Sequence, residues 1–316
     1  MVGTLLAITI WAACTDSNWH LVGTGEHPHD PPFLALSFTD SDHGWGITPT
    51  ALFETSDGGQ KWISRLESSD GRRTFVSVNF VNRHNGFIVG AQGTGTERSP
   101  LIVRTIDGGK SWQDTSIPDR STVTRGGLHG VGFCADLGWA VGVNVILDTT
   151  NGGQTWEMQR KNKDEVLFSV ACLSASRACA VGQNGLILCT KDGGKTWVSQ
   201  TSGTTDNLAR IRFFGEDGWI VGGIAGKSVL LRTRDAGTNW QPQQLDISEA
   251  LFDIYFSGTR GWIVGANGTL LQSTDGGQTW EPQVSSTKNN LMCLFFLSPH
   301  LGWAGGDKQT LLRFLE

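Results

Sequence analysis

Thr55-Ser56-Asp57-Gly58-Gly59-Gln60-Lys61-Trp62 is one copy of a phrase that the chain uses six times: Thr or Ser, any residue, Asp, two glycines, two polar residues and Trp. The other copies end at Trp112, Trp156, Trp197, Trp240 and Trp280, so the steps between tryptophans are 50, 44, 41, 43 and 40 residues. That period is the length of one four-stranded antiparallel blade of a β-propeller. Within a blade the phrase has a structural task. Gly-Gly supplies positive φ where the chain reverses, the carboxylate accepts backbone amides of its own turn, and the Trp buries a large apolar face. The acidic positions are Asp57, Asp107, Asn151, Asp192, Asp235 and Asp275, and Ala236 replaces the first glycine of the fifth copy. A structural turn tolerates both exceptions; a catalytic carboxylate would not tolerate Asn151.

Upstream of each box stands a second phrase: an apolar hexad, a polar turn, then usually Gly-Trp and an apolar run. The hexads are 33–38, 75–80, 128–133, 167–172, 208–213, 251–256 and 291–296, which makes seven. In the seventh unit Thr310-Leu311-Leu312-Arg313 reads as the third strand, with no box after it. Thr15-Asp16-Ser17-Asn18-Trp19 is a shortened echo of the box, one period before Trp62. Pairing the strand after Trp19 with the C-terminal strand leaves no free sheet edge between first and last units. The pattern predicts a seven-bladed β-propeller of four-stranded antiparallel blades, closed by an N-terminal strand on the C-terminal blade. It forms a single domain over residues 14–316.

Composition agrees. The 316 residues include 42 glycines, and twelve of the 13 tryptophans fall on repeat positions, which argues against an aromatic ligand cage. A formal net charge of -5 with no long basic run lacks the electrostatic footprint of a nucleic-acid binder. Residues 1–13 read as a signal peptide: residues 2–13 are almost wholly apolar, too short to span a bilayer, and end in small residues before Cys14. This is the form of a lipoprotein signal with Cys14 as the lipidated residue, although Trp11 stands where Leu is usual and no basic residue precedes the run. The expectation is an exported protein, in a periplasm, a thylakoid lumen or at a cell surface, held to the membrane by a lipid anchor only. Cys172 and Cys179 flank a predicted hairpin; they either pair in an oxidising compartment or sit, like Cys189, as small buried side chains. Cys134 and Cys293 lie in strand-like runs. No spacing fits a zinc site, His27-Pro28-His29-Asp30 reads as a solvated loop, and neither metal nor cofactor is expected.

The boxes resemble the Asp-box, or bacterial neuraminidase repeat, over essentially the whole chain after Cys14. Among proteins with this repeat, the chain is most similar to the photosystem II stability and assembly factor family, on phrases such as Gly261-Trp262-Ile263-Val264-Gly265 and Asp192-Gly193-Gly194-Lys195-Thr196-Trp197. That resemblance implies a non-catalytic propeller with a protein partner, a membrane-protein complex being the family's kind. The alternative is a carbohydrate-active enzyme or carbohydrate-binding module of the sialidase or glycoside hydrolase type. Sialidases need a Tyr nucleophile with an acidic partner and an arginine triad. Here Tyr255 is the one tyrosine; Asp253 shares its strand face, and Arg210 and Arg212 hold the equivalent positions one unit earlier. The plainer reading of these four is a polar seam between adjacent inner strands. Two segments exceed their counterparts in length, 91–100 and 114–127. They carry Arg98, Arg120 and Arg125 on the face opposite the boxes, where long loops on a rigid scaffold suit binding. The chain is expected to act as a monomer.

Overall fold

The computed structural model describes residues 18–23, 30–95, 97–115, 117 and 126–316. The described chain is an all-β propeller whose regular structure consists of antiparallel strands and three short 3-10 turns. Each hairpin places an apolar second strand between its neighbours, as in Gly86–Gln92 and Arg260–Gly265, and the side chains alternate into the gaps between successive units. The core is accordingly a set of clusters shared by adjacent units. Trp45, Ile47 and Leu52 pack with Phe75, Ile88 and Val103, and Trp219 and Leu230 pack with Ile254 and Leu271.

The count of seven four-stranded blades is corrected. The strands assemble into six sheets, five of four strands and one of six. The six-stranded sheet holds the third and fourth repeat units. Strand Leu137–Thr149 and strand Glu157–Cys172 run without a break through the positions where other units turn. In the third unit the connection at Val143 and Asn144 stays inside the ladder, where other units turn outside it, as at Gln183–Gly185. Val143 then pairs with Val166, and Glu157–Cys172 serves Leu137–Thr149 with its first part and Ala178–Gly182 with its second. Ring closure is made by Trp19–Gly23, which pairs with Leu311–Leu315 through Trp19 opposite Phe314 and His20 opposite Arg313.

Every box forms the same small network. The buried Thr or Ser that opens it donates to the carboxylate or amide oxygen and accepts the N–H of the second small residue; in the second copy Thr105 Oγ1 lies 2.8 Å from Asp107 Oδ1 and 2.8 Å from Gly109 N. The N–H of the first small residue donates to the turn between the first two strands of its own unit, as Gly58 does to Asp42 O and Ala236 to Glu216 O. The boxes and these turns therefore share one face. In four of the six boxes the second glycine lies against the second-strand side chain of the preceding unit. A Cβ on Gly109 would stand 2.2 Å from the Trp45 ring, and one on Gly153 2.3 Å from Phe87. The box is thus both a turn and a clamp between units.

The cysteines complete the picture and correct one expectation. Cys172 pairs with Cys134, the corresponding end of the neighbouring inner strand, and Cys179 pairs with Cys189 directly across a hairpin. The Cys179–Cys189 bridge occupies the clamp position that Trp or Phe fills in the other units and lies under Gly237. Cys293 is a free, buried thiol. Cys14, His27 and His29 lie outside the described residues.

Candidate functional site

The inner strands surround an axial cavity of about 280 Å³. Its lining comes from the third and fifth positions of all seven hexads, and the lining is lopsided. One side is small or neutral, with Ala35, Ser77, Gly130 and Ser169; the other carries Arg210, Arg212, Asp253, Tyr255 and Cys293. The four residues singled out in the sequence are therefore brought together.

Asp253 is 1% exposed. Its Oδ1 lies 3.1 Å from Arg210 Nε and 3.8 Å from Arg212 Nη2, an ion-pair distance at which Arg210 Nε is not aligned as a hydrogen bond. The same Oδ1 accepts the N–H of Ile254 at 2.9 Å, and Oδ2 accepts that of Leu294 at 3.0 Å. Leu294 belongs to the next inner strand, so Asp253 satisfies an edge amide that would otherwise be buried without a partner. Tyr255 does the matching task for an acceptor: its hydroxyl donates to Phe296 O at 3.0 Å, while its ring stacks on Phe296 with Arg212 above it. Ser37 and Ser169 repeat the pattern, accepting the N–H of Phe80 and of Ile211. On the channel's other side His129 Nδ1 contacts Leu167 O at 2.9 Å.

Burial sets the electrostatics. It pushes the Tyr255 hydroxyl above the ordinary tyrosine range, with the nearby Arg212 opposing, and it holds His129 below the usual histidine value. The Cys293 thiol is raised by burial first and by the Asp253 carboxylate second. A tyrosine held neutral and a carboxylate engaged by two guanidinium groups and two amides suit structure and recognition. They do not form a poised nucleophile and acid.

The remaining candidates stand apart from this cluster. Arg98 is exposed on the opposite face, where its carbonyl accepts Gly126 N–H; Arg120 and Arg125 lie outside the described residues. The boxes ring the other face. Among the described residues no group of three or more His, Cys, Asp or Glu side chains is placed to hold a metal ion, and no helix is long and apolar enough to cross a membrane. Two side chains in or near the channel were not singled out from sequence. Cys293 stands at the hexad position of Arg210 and Asp253 and is legible by that alignment. Arg104 precedes a box as Arg232 and Arg313 precede theirs or its missing equivalent, and so carried a signal too.

Comparison with known proteins agrees with this architecture. A protein named photosystem II assembly protein Ycf48 from Thermosynechococcus vestitus is 30% identical over 282 aligned residues, covering 62% of this chain and 80% of the relative. Two proteins named photosystem II assembly lipoprotein Ycf48, from a Synechococcus and a Picosynechococcus species, are each 28% identical, and the chain spans 40% and 54% of their lengths. A solved structure described as YCF48 bound to D1 peptide superposes with a TM-score of 0.74 at 24% identity, covering 95% of this chain and 98% of that one, a likeness of fold. Over residues 12–93, 66–163, 154–251 and 249–315 the chain matches the model of photosynthesis system II assembly factor YCF48, and it belongs to that family.

Proposed function

We propose that this chain is a non-catalytic, exported binding factor that holds a polypeptide segment of a membrane-protein complex during assembly. The observation that carries the reading is the state of the axial cluster: Asp253 and Tyr255, the one pair with glycosidase character, are spent on neighbouring backbone groups and on Arg210 and Arg212. Family membership supports it, as do relatives named for photosystem II assembly and a related propeller described with a bound peptide. Two disulfides favour an oxidising compartment.

A lipid on Cys14 would orient the molecule. Leu315 N–H donates to Asn18 O, and Glu316 N–H to His300 O in a turn of the box face, so the first strand enters from that face. The four residue steps from Cys14 to Asn18 span at most about 14 Å. The box face would then lie toward the bilayer, where segments of an integral membrane partner emerge. Arg98 with its neighbours would point away.

The test is a screen of the purified protein against sialosides and β-glucans beside its Tyr255→Phe and Asp253→Asn variants. No turnover above a buffer blank is expected from any of the three. Turnover by the wild type that disappears in either variant would overturn the reading in favour of a glycosidase.

A further inference from the structure

Three third-strand arginines lie over the second-strand ring opposite them: Arg104 over Phe87, Arg232 over Trp219 and Arg313 over Trp303. Two have polar partners. Arg232 Nη2 is 3.5 Å from the Asp217 carboxylate, and Arg313 Nη2 is 3.4 Å from Ser41 O in the next unit. Arg104 has none among the described residues, and its Nε, like those of Arg232 and Arg313, is buried with nothing to donate to. The box that faces Arg104 across the seam between second and third units is also the one with Asn151 in place of an aspartate. An unpaired guanidinium therefore meets the one box that carries no charge.

Space lies beside it. A cavity of about 390 Å³ is lined by Val81, Asn85, Arg104, Asp136, Asn151 and Gln154. A second, of about 180 Å³, shares Arg104 and Gln154 and continues past Ile106 and Thr115. The first also shares Asn79 and Phe133 with the axial cavity. These cavities thus form a row along the seam, and the outer two make a groove on the box face with Arg104 common to both. Its edges are apolar and exposed, Val81 at 40% and Ile106 at 63%.

We propose that this groove binds an extended peptide in which one acidic side chain pairs with Arg104 and aliphatic neighbours cover Val81 and Ile106. The inference rests on the protein-binding reading and gives it a site and a chemistry. One guanidinium in a fork matches one carboxylate. The Asp136 carboxylate in the same groove disfavours a phosphate and suits a backbone N–H of the same peptide. A sugar fits poorly, because the rings of the groove, Phe87 and Phe133, are buried or half-buried and offer no open stacking platform.

Fluorescence anisotropy with the full chain tests this. The probe is a labelled, end-blocked peptide with a central Glu between Val and Leu residues, compared with the same peptide carrying Gln. The Glu peptide is expected to bind about tenfold more tightly, and Arg104→Gln to abolish the difference. Because Arg104 also packs on Phe87, Asn151→Asp is the control for folding: aspartate is the residue of the other boxes, so the turn is kept while a negative charge is added. It should weaken the Glu peptide by about three- to tenfold and leave the Gln peptide unchanged. Equal binding of the two peptides, no binding of the Glu peptide at about 1 mM, or indifference to both substitutions would overturn the proposal. A membrane partner still captured by the Arg104→Gln protein at wild-type yield would also overturn the groove, and would leave the protein-binding reading standing.

Discussion

At the scale of single residues the box explains why two small residues stand between its acid and its Trp. Gly108 and Gly109 have φ of 74° and 87°, and the second is pressed against Trp45. Gly109→Ala combines a left-handed alanine with a clash on an indole, and we expect it to lower stability by about 3 kcal/mol in denaturant unfolding. Ala236 is the counterexample that nature supplies: it occupies the first position at φ 54°. Ala236→Gly should stabilise by about 0.5–1 kcal/mol, the left-handed cost outweighing glycine's entropy. The box carboxylates add a pH dependence. The Ser111 hydroxyl holds Asp107, and the Asn239 side chain holds Asp235, down from 3.8 to about 2. A carboxylate lowered in the folded state contributes stability that is complete above its unfolded value and lost as pH falls toward its folded one. The melting temperature should therefore drop between about pH 4 and pH 2, and less steeply in Asp107→Asn. Asn151 already shows that the amide is accommodated, with Nδ2 donating to Thr155 Oγ1 where Asp107 accepts from Ser111.

At the scale of elements, the repeat was legible because each strand carries its own alternation and each turn its own glycines, and the closing strand was legible from the boxless last unit and the box echo ending at Trp19. The merging of two units into one sheet was not. It depends on whether a ladder stops or continues at Val143 and Val166, which the pairing of backbone groups decides and composition does not. The cysteines show the same limit. Cys172 and Cys179 are near in sequence, yet Cys172 meets Cys134: across the hairpin Cys179 faces Ala171 and Cys172 faces Ala178, so the two sulfurs point to opposite faces, while the ends of adjacent inner strands lie side by side. The Cys179–Cys189 bridge replaces the aromatic clamp in one seam, so that seam depends on oxidation. Mass analysis without reductant should find both bridges and, beside Cys14, one thiol, at Cys293, that labels only on unfolding. Reduction should remove about 2–4 kcal/mol of stability per bridge.

At the scale of the whole molecule, the candidate site was partly legible. Strand alternation placed Asp253 beside Tyr255, and the unit period placed Arg210 and Arg212 opposite them. What alternation does not give is where each group spends its hydrogen bonds, and those partners are what give the four residues the character of a seam. The groove beside Arg104 was hidden for a related reason, since its meaning lies in a partner that Arg232 and Arg313 have and Arg104 lacks. The proposed role of this propeller is to bind a membrane-protein partner without chemistry of its own. Its most direct test is affinity isolation of the tagged, full-length protein from detergent-solubilised native membranes, with cross-linking and mass spectrometry. An integral membrane protein cross-linked through a peripheral segment to residues of the propeller is expected. Recovery of the propeller with no integral membrane protein, from membranes in which the tagged protein is functional, would contradict it.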